Sequence, residues 1–182
     1  MPSVLVPGFG GSVKYFAFGS NMSLLRLQQR APSAARLGAF ALKAHVLRFH
    51  KRGKDGSEKC DAFCTNIDDV VIGALFEINE TEKEALDIAE GLGAGYDEKI
   101  VTVQSDAGEF CKAYTYYATR TDTSLKPYSW YLNHVVIGAK ETNLPTQYLA
   151  LVESIECISD PDKERDSEQR AIYPTLNRQT KL

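Results

Sequence analysis

Long apolar runs are missing from this 182-residue chain. A bilayer-spanning helix needs about 20 consecutive apolar residues, and no stretch approaches that, so no membrane partner is expected. The opening MPSVLVPGFGGS has no basic segment, and Pro and Gly interrupt its apolar residues, which argues against a secretory leader. Zinc-ligand spacing is also missing. Cys60, Cys64, Cys111 and Cys157 form no CxxC pair, and His45, His50 and His134 stand at no ligand interval. No metal is expected, and reduced cysteines suit a cytoplasmic protein. A Cys–His nucleophile stays open only because such partners meet in space. With a net charge of −3 the chain lacks the global basic field that nucleic acid or an anionic membrane would require. The local exception, HVLRFHKRGK, reads as a solvated strand end and loop.

What is present suits a soluble globular protein: 43% hydrophobic and 25% charged residues, enough for one sizeable core. Residues 1–12 read as a mobile lead-in, 13–158 as a single domain, and 159–182 as a charged tail too poor in apolar residues to dock tightly. Val13 to Phe18 reads as a buried strand, and Ser23 as the cap of a short helix ending before Pro32. Leu37 to Phe49 reads as one strand, followed by a charged loop, KRGKDGSEK, with an Asp55-Gly56 turn. Asp61 to Ile67 and Val70 to Ile78 are further strands, the second apolar enough to be central. Thr81-Glu82-Lys83-Glu84 fits a capping box opening a helix that Gly91 stops. Tyr96 to Gln104 and Phe110 to Ala118 read as paired strands. Tyr128 to Lys140 reads as a helix, with Pro145 in the first turn of another that ends near Ile155. Strands not separated by regular helices argue for mixed α/β (α+β) packing rather than a doubly wound parallel sheet.

Two places can carry chemistry. The first strand leaves through Gly19-Ser20-Asn21, residues suited either to a plain turn with a helix cap or to a loop whose amides hold an anion. The G-x-G-x-x-G of a dinucleotide loop is absent, and so is the G-x-S-x-G context of a serine hydrolase. Glu90 lies one helical turn beyond Leu86, beside Gly91, Gly93 and Gly95. On the buried side of that helix it would be partly desolvated, which suits a base near neutral pH. On the other side it would be a solvated edge. Pattern alone leaves both positions open.

Together these stretches resemble the gamma-glutamylcyclotransferase family. YFAFGSNM, Tyr15 to Met22, is similar to that family's Tyr-Gly-Ser-Asn loop. LDIAEGLGAGY is similar to its glutamate segment and implies Glu90 as acid/base. WYLNHVVIGAKETNLPTQY is similar to its C-terminal helical region, and RFHKRGKDGSEK resembles bacterial members. The likeness spans roughly residues 13 to 156. It implies a small closed mixed β-barrel with flanking helices and a small-molecule gamma-glutamyl substrate cyclised to 5-oxoproline, with no cofactor required. Phe18, Gly19, Ser20, Asn21, Met22, Tyr96 and Tyr131 are the implied substrate-binding residues. Phe18 stands where the family has its loop tyrosine, so any contact made by that hydroxyl is missing. The segment after Glu90 is a residue shorter than in some animal members. A non-catalytic binding module, release of another amine on the same scaffold, and a serine amidase using Ser20 are the competing readings. The leaving amine and the oligomeric state, a homodimer included, are left open.

Overall fold

The computed structural model describes residues 10–174, so most of the expected lead-in and the end of the tail lie outside it. Among the described residues the strands are β1 (Ser12–Ala17), β2 (Ala35–Lys43), β3 (His45–Arg52), β4 (Glu58–Cys64), β5 (Val70–Asn79), β6 (Tyr96–Ser105) and β7 (Phe110–Ala118). The α-helices are α1 (Leu24–Gln28), α2 (Lys83–Glu90), α3 (Ser129–Glu141), α4 (Thr146–Glu153) and α5 (Lys163–Arg170). Five strands close a barrel in the order β1-β5-β2-β6-β7, while β3 and β4 form a separate hairpin. The seam is parallel, with Tyr15 of β1 opposite Tyr114 of β7. The other paired strands run antiparallel. This is the closed mixed barrel with flanking helices that the family resemblance implies.

β5 is central, as its nearly unbroken apolar sequence requires, and pairs with β1 on one side and β2 on the other. Phe16, Phe76, Leu75, Ile78, Val71 and Val103 are fully buried and form much of the core. Burying each such side chain stabilises the fold by about 1.5–3 kcal/mol.

Several boundaries differ from the sequence expectation. The strand expected over 37–49 breaks at Ala44, whose φ of 60° turns the chain out of the barrel and into the hairpin. Alanine carries no turn signal. The charged loop expected over 51–59 is shorter, 53–57, because Lys51 and Arg52 pair with Lys59 and Glu58 as strand. The capping box at Thr81 does not form. Asn79 Oδ1 accepts the Thr81 amide at 3.0 Å and its hydroxyl at 2.8 Å, so the cap comes two residues earlier, before a 3-10 turn. Pro145 is the N-cap of α4, just outside the helix, and α4 ends at Glu153.

The described part of the tail, residues 160–174, docks through polar groups. Buried Asp160 accepts from Trp130 Nε1 at 2.7 Å and from two nitrogens of Arg165 at 2.7 and 2.6 Å. α5 then brings Gln169 to Arg26 at 2.6 Å and Tyr173 to Ser23 at 2.9 Å. A reading by hydrophobicity has no means of seeing such contacts.

Candidate active site

β1 delivers the chain into Phe18 and Gly19, and a 3-10 turn over Ser20–Met22 follows. Gly19 has φ −115° and ψ −139°. It provides room: a Cβ there would lie 2.9 Å from Cys60 Cβ and 3.3 Å from the Tyr131 hydroxyl. The amides of Gly19, Ser20 and Asn21 meet no acceptor among the described residues. Helix α3 presses on the back of the turn, where a Cβ on Gly138 would come within 2.4 Å of Met22. Met22 is fully buried there and lines neither lobe of the cleft described below.

α2 ends on Glu90. Gly91 follows in the left-handed region, φ 75°, with its amide on Ile88 O at 3.1 Å. Leu86 on the same face is fully buried, and Glu90 sits one turn later at the edge of the core with 16% of its side chain exposed. Of the two positions open to it, Glu90 takes the partly buried one. Its Oε1 accepts from Asn21 Nδ2 at 2.8 Å and from Arg30 Nη1 at 2.7 Å. Arg30 Nη1 also reaches Asn21 Oδ1 at 2.8 Å, and Asn21 Nδ2 reaches the Tyr15 hydroxyl at 3.1 Å. The loop and the carboxylate are therefore one hydrogen-bonded unit, although 69 residues separate them.

Around this unit lies a cleft with two lobes. The narrow inner lobe is lined by Phe18, Gly19, Ser20, Asn21, Glu90 and the rings of Tyr15, Tyr96, Tyr116 and Tyr131, with Cys60. The outer lobe, about 230 Å³, shares Ser20, Glu90, Tyr96 and Tyr131 and opens toward the β3–β4 hairpin. Tyr131 accepts the Cys60 amide proton at 2.9 Å, while Tyr96 donates to the Cys60 carbonyl at 2.5 Å. The two tyrosines thus fix the β4 backbone, and Tyr96, its proton engaged, offers only lone pairs to a ligand. Burial holds the hydroxyls of Tyr15, Tyr96 and Tyr131 well above 10.0, so all three are neutral donors or acceptors. Burial likewise pushes the Cys60 thiol up to about 12, which removes it as a nucleophile near neutral pH. The Ser20 hydroxyl has no base partner among the described residues, and none of their His, Cys, Asp and Glu side chains form a group suited to a metal ion.

The expected residues Phe18, Gly19, Ser20, Asn21, Glu90, Tyr96 and Tyr131 thus meet at one cleft. Sequence reading missed Arg30, Tyr15, Tyr116 and Cys60. It also took the basic stretch around His50 for solvated, whereas His50 and Lys51 are buried, at 6% and 7% exposure. The signal that could have found Arg30 is weak: it lies just beyond a helix opened by the Gly-Ser-Asn turn, where the chain folds back over that turn.

A five-stranded mixed barrel whose mouth joins a Gly-Ser-Asn turn to a helix-terminal glutamate defines the class of protein. The AIG2-like family model matches residues 70–151. A solved structure of a gamma-glutamyl cyclotransferase superposes with a TM-score of 0.79 at 25% identity, covering 88% of this chain and 99% of that one. Gamma-glutamylcyclotransferase of Bos taurus is 32% identical over 152 residues, 81% of this chain and 80% of its own. The Homo sapiens protein of the same name is 31% identical over 150 residues, 80% and 79% respectively. The chain belongs to the gamma-glutamylcyclotransferase family of enzymes. No helix among the described residues is long and apolar enough to cross a membrane.

Proposed function

We propose that this enzyme converts a gamma-glutamyl amide to 5-oxoproline and a free amine, with Glu90 as the general acid/base. The observation that carries the reading is the direct contact of Glu90 with Asn21 at a cleft whose loop amides are unclaimed among the described residues. The amides of Gly19, Ser20 and Asn21 receive the substrate's α-carboxylate, since converging N–H groups favour an anion. Arg30 and Asn21 hold Glu90 Oε1, which leaves the second oxygen toward the substrate.

The chemistry then needs little more than position. Glu90 accepts a proton from the α-ammonium, and the freed nitrogen attacks the γ-carbonyl to form the new C–N bond. As the old amide C–N bond breaks, Glu90 returns a proton to the departing nitrogen, and the ring nitrogen gives up its remaining extra proton to solvent. Nucleophile and carbonyl belong to one molecule, and well-oriented intramolecular reactions reach effective molarities of about 10⁵–10⁸ M. The cleft's contribution is to hold the folded conformer between the loop amides and the inner tyrosines. Phe18, Tyr96 and Tyr131 shape that end by packing.

Purified protein incubated with a panel of gamma-glutamyl amides and assayed for 5-oxoproline tests the proposal, with Glu90→Gln alongside. The amide keeps the shape but cannot take the proton, so activity should fall by about 10²–10⁴-fold while the circular dichroism spectrum is unchanged. Equal rates in both proteins would sink the mechanism. Binding without product from any substrate would make the cleft a binding module.

A further inference from the structure

The outer lobe carries more positive charge than the chemistry above uses. Five cations line it, Arg26, Arg30, Lys51, Lys54 and Lys59, against two carboxylates, Glu90 and Asp55. Arg30 pairs with Glu90 at 2.7 Å and Lys59 with Asp55 at 2.8 Å, so both carboxylates are taken. Arg26, Lys51 and Lys54 remain. Two of these are deep, Arg26 at 8% exposure and Lys51 at 7%. Arg26 donates to the neutral Gln169, and its Nε is buried with no acceptor. The Lys51 ammonium has no hydrogen-bond acceptor or carboxylate partner among the described residues and stands over the Tyr96 ring at 4.3 Å. Burying a cation without a counter-ion is costly, and a cation–π contact offsets only part of that cost.

Lys51 is also aimed. The β3–β4 register shifts by one residue between the pairs Phe49–Cys60 and Lys51–Lys59, a bulge at His50. Bulges re-aim side chains, and here two consecutive residues, His50 and Lys51, turn inward. Gly95 leaves room for the ammonium, since a Cβ there would lie 3.3 Å from Nζ. A fixed, enclosed ammonium facing the same cleft as Glu90 is a subsite awaiting an anion.

Building on the proposed function, in which the glutamyl carboxylate lies on the loop amides and the amine half faces the outer lobe, we propose that Lys51 is the specificity-determining residue of that lobe and reads an anionic group on the amine half. Arg26 deepens the field behind Lys51, and Lys54 extends it to the rim. A carboxylate or a phosphate on the amine half satisfies the same chemistry, whereas a cationic amine half is disfavoured.

The test measures dissociation constants by calorimetry in the Glu90→Gln protein for four ligands: γ-glutamyl-alanine, γ-glutamyl-alaninamide, γ-glutamyl-aminoethyl phosphate and a γ-glutamyl diamine. Alanine and alaninamide differ only in the anion. The carboxylate ligand should bind about 10-fold or more tighter than the carboxamide, as expected for a charge-assisted hydrogen bond. Lys51→Met added to that protein should bring the ratio near one, and Lys51→Arg should restore it. The phosphate arm decides which anion fits better. Equal constants for alanine and alaninamide, a ratio unmoved by Lys51→Met, or no binding of any ligand would overturn the proposal. If Glu90→Gln still turns over, the same ratio is read from kcat/KM. Failure of the reaction itself shows separately, as absence of 5-oxoproline from the wild-type protein, and leaves the binding ratio decisive for Lys51.

Discussion

The two lobes of the cleft are made of opposite materials. The inner one joins barrel strands and the turn that leaves β1 to the end of α2 and the face of α3, and its walls are neutral tyrosine hydroxyls and the Asn21 amide around a single carboxylate. The outer one is bordered by a hairpin outside the barrel, and its walls are cations. A closed barrel has no free edge to fray and fixes side chains to within the tolerance of its register, which suits a group that must meet a reacting atom. A hairpin appended to that barrel can carry charge without disturbing the closure. Lys51 thereby stands on a different piece of backbone from Asn21 and Glu90, and the two lobes meet at Ser20, Glu90, Tyr96 and Tyr131, with Cys60 of the hairpin held through its amide by Tyr131 and through its carbonyl by Tyr96.

If that division holds, damage to the inner lobe should affect every substrate alike. Asn21→Leu keeps the branched outline of the side chain but removes the donor to Glu90 and Tyr15 and the acceptor for Arg30. Losing one preorganised donor costs about 10²–10³-fold in kcat elsewhere, and about 10²-fold is expected here for γ-glutamyl-alanine and γ-glutamyl-alaninamide equally. Steady-state kinetics on the two substrates decide the point. A loss confined to one of them would mean that Asn21 also reads the amine half and that the lobes are not independent.

Much of the inner lobe was legible in the sequence, and the outer lobe was not. Gly19, Ser20 and Asn21 interrupt an apolar strand, and Glu90 follows Leu86 by one turn, so local pattern already singled both out. Their meeting is a long-range contact that no local pattern encodes, and only the family resemblance joined them in advance. Arg30 escaped because its role depends on the chain folding back over the turn. Lys51 escaped for a sharper reason: a lysine in KRGKDGSEK has every local mark of a solvated loop, and a one-residue register shift at His50 turns it inward. The barrel was readable because its strands are apolar and long. The docked tail was not, since Asp160, Gln169 and Tyr173 hold it by hydrogen bonds between residue types that composition assigns to solvent.

Titration separates the lobes next. Burial lowers the Lys51 ammonium below its ordinary 10.5, whereas burial raises the inner tyrosines well above 10.0. The preference for an anionic amine half is therefore complete while Lys51 is protonated and is lost as pH rises through its lowered pKa. The inner hydroxyls stay neutral across that range. In the Glu90→Gln protein the ratio of dissociation constants for alaninamide and alanine ligands should fall from about tenfold toward one as pH is raised from neutral through the lowered Lys51 pKa. Dividing the two constants cancels the ligand's own ammonium, which both compounds share. A ratio that holds constant to high pH would break the case for Lys51.

The smallest effect lies at the rim. Lys54 is exposed, on the hairpin turn between Gly53 and Asp55. Exposed charge pairs are worth about 0.2–1 kcal/mol and are screened over roughly 10 Å at 0.1 M salt. Lys54→Ala should thus weaken the anionic ligand only about two- to threefold at low ionic strength, and the difference should vanish as salt is raised. The contribution of Lys51, enclosed between the Tyr96 ring and Gly95, should persist in the same titration, because enclosed pairs are screened much less. Parallel salt dependence of the two lysine variants would show a diffuse field steering any anion toward the cleft. Divergence would show an enclosed subsite that recognises one group on the substrate, with Lys54 acting only on the approach to it.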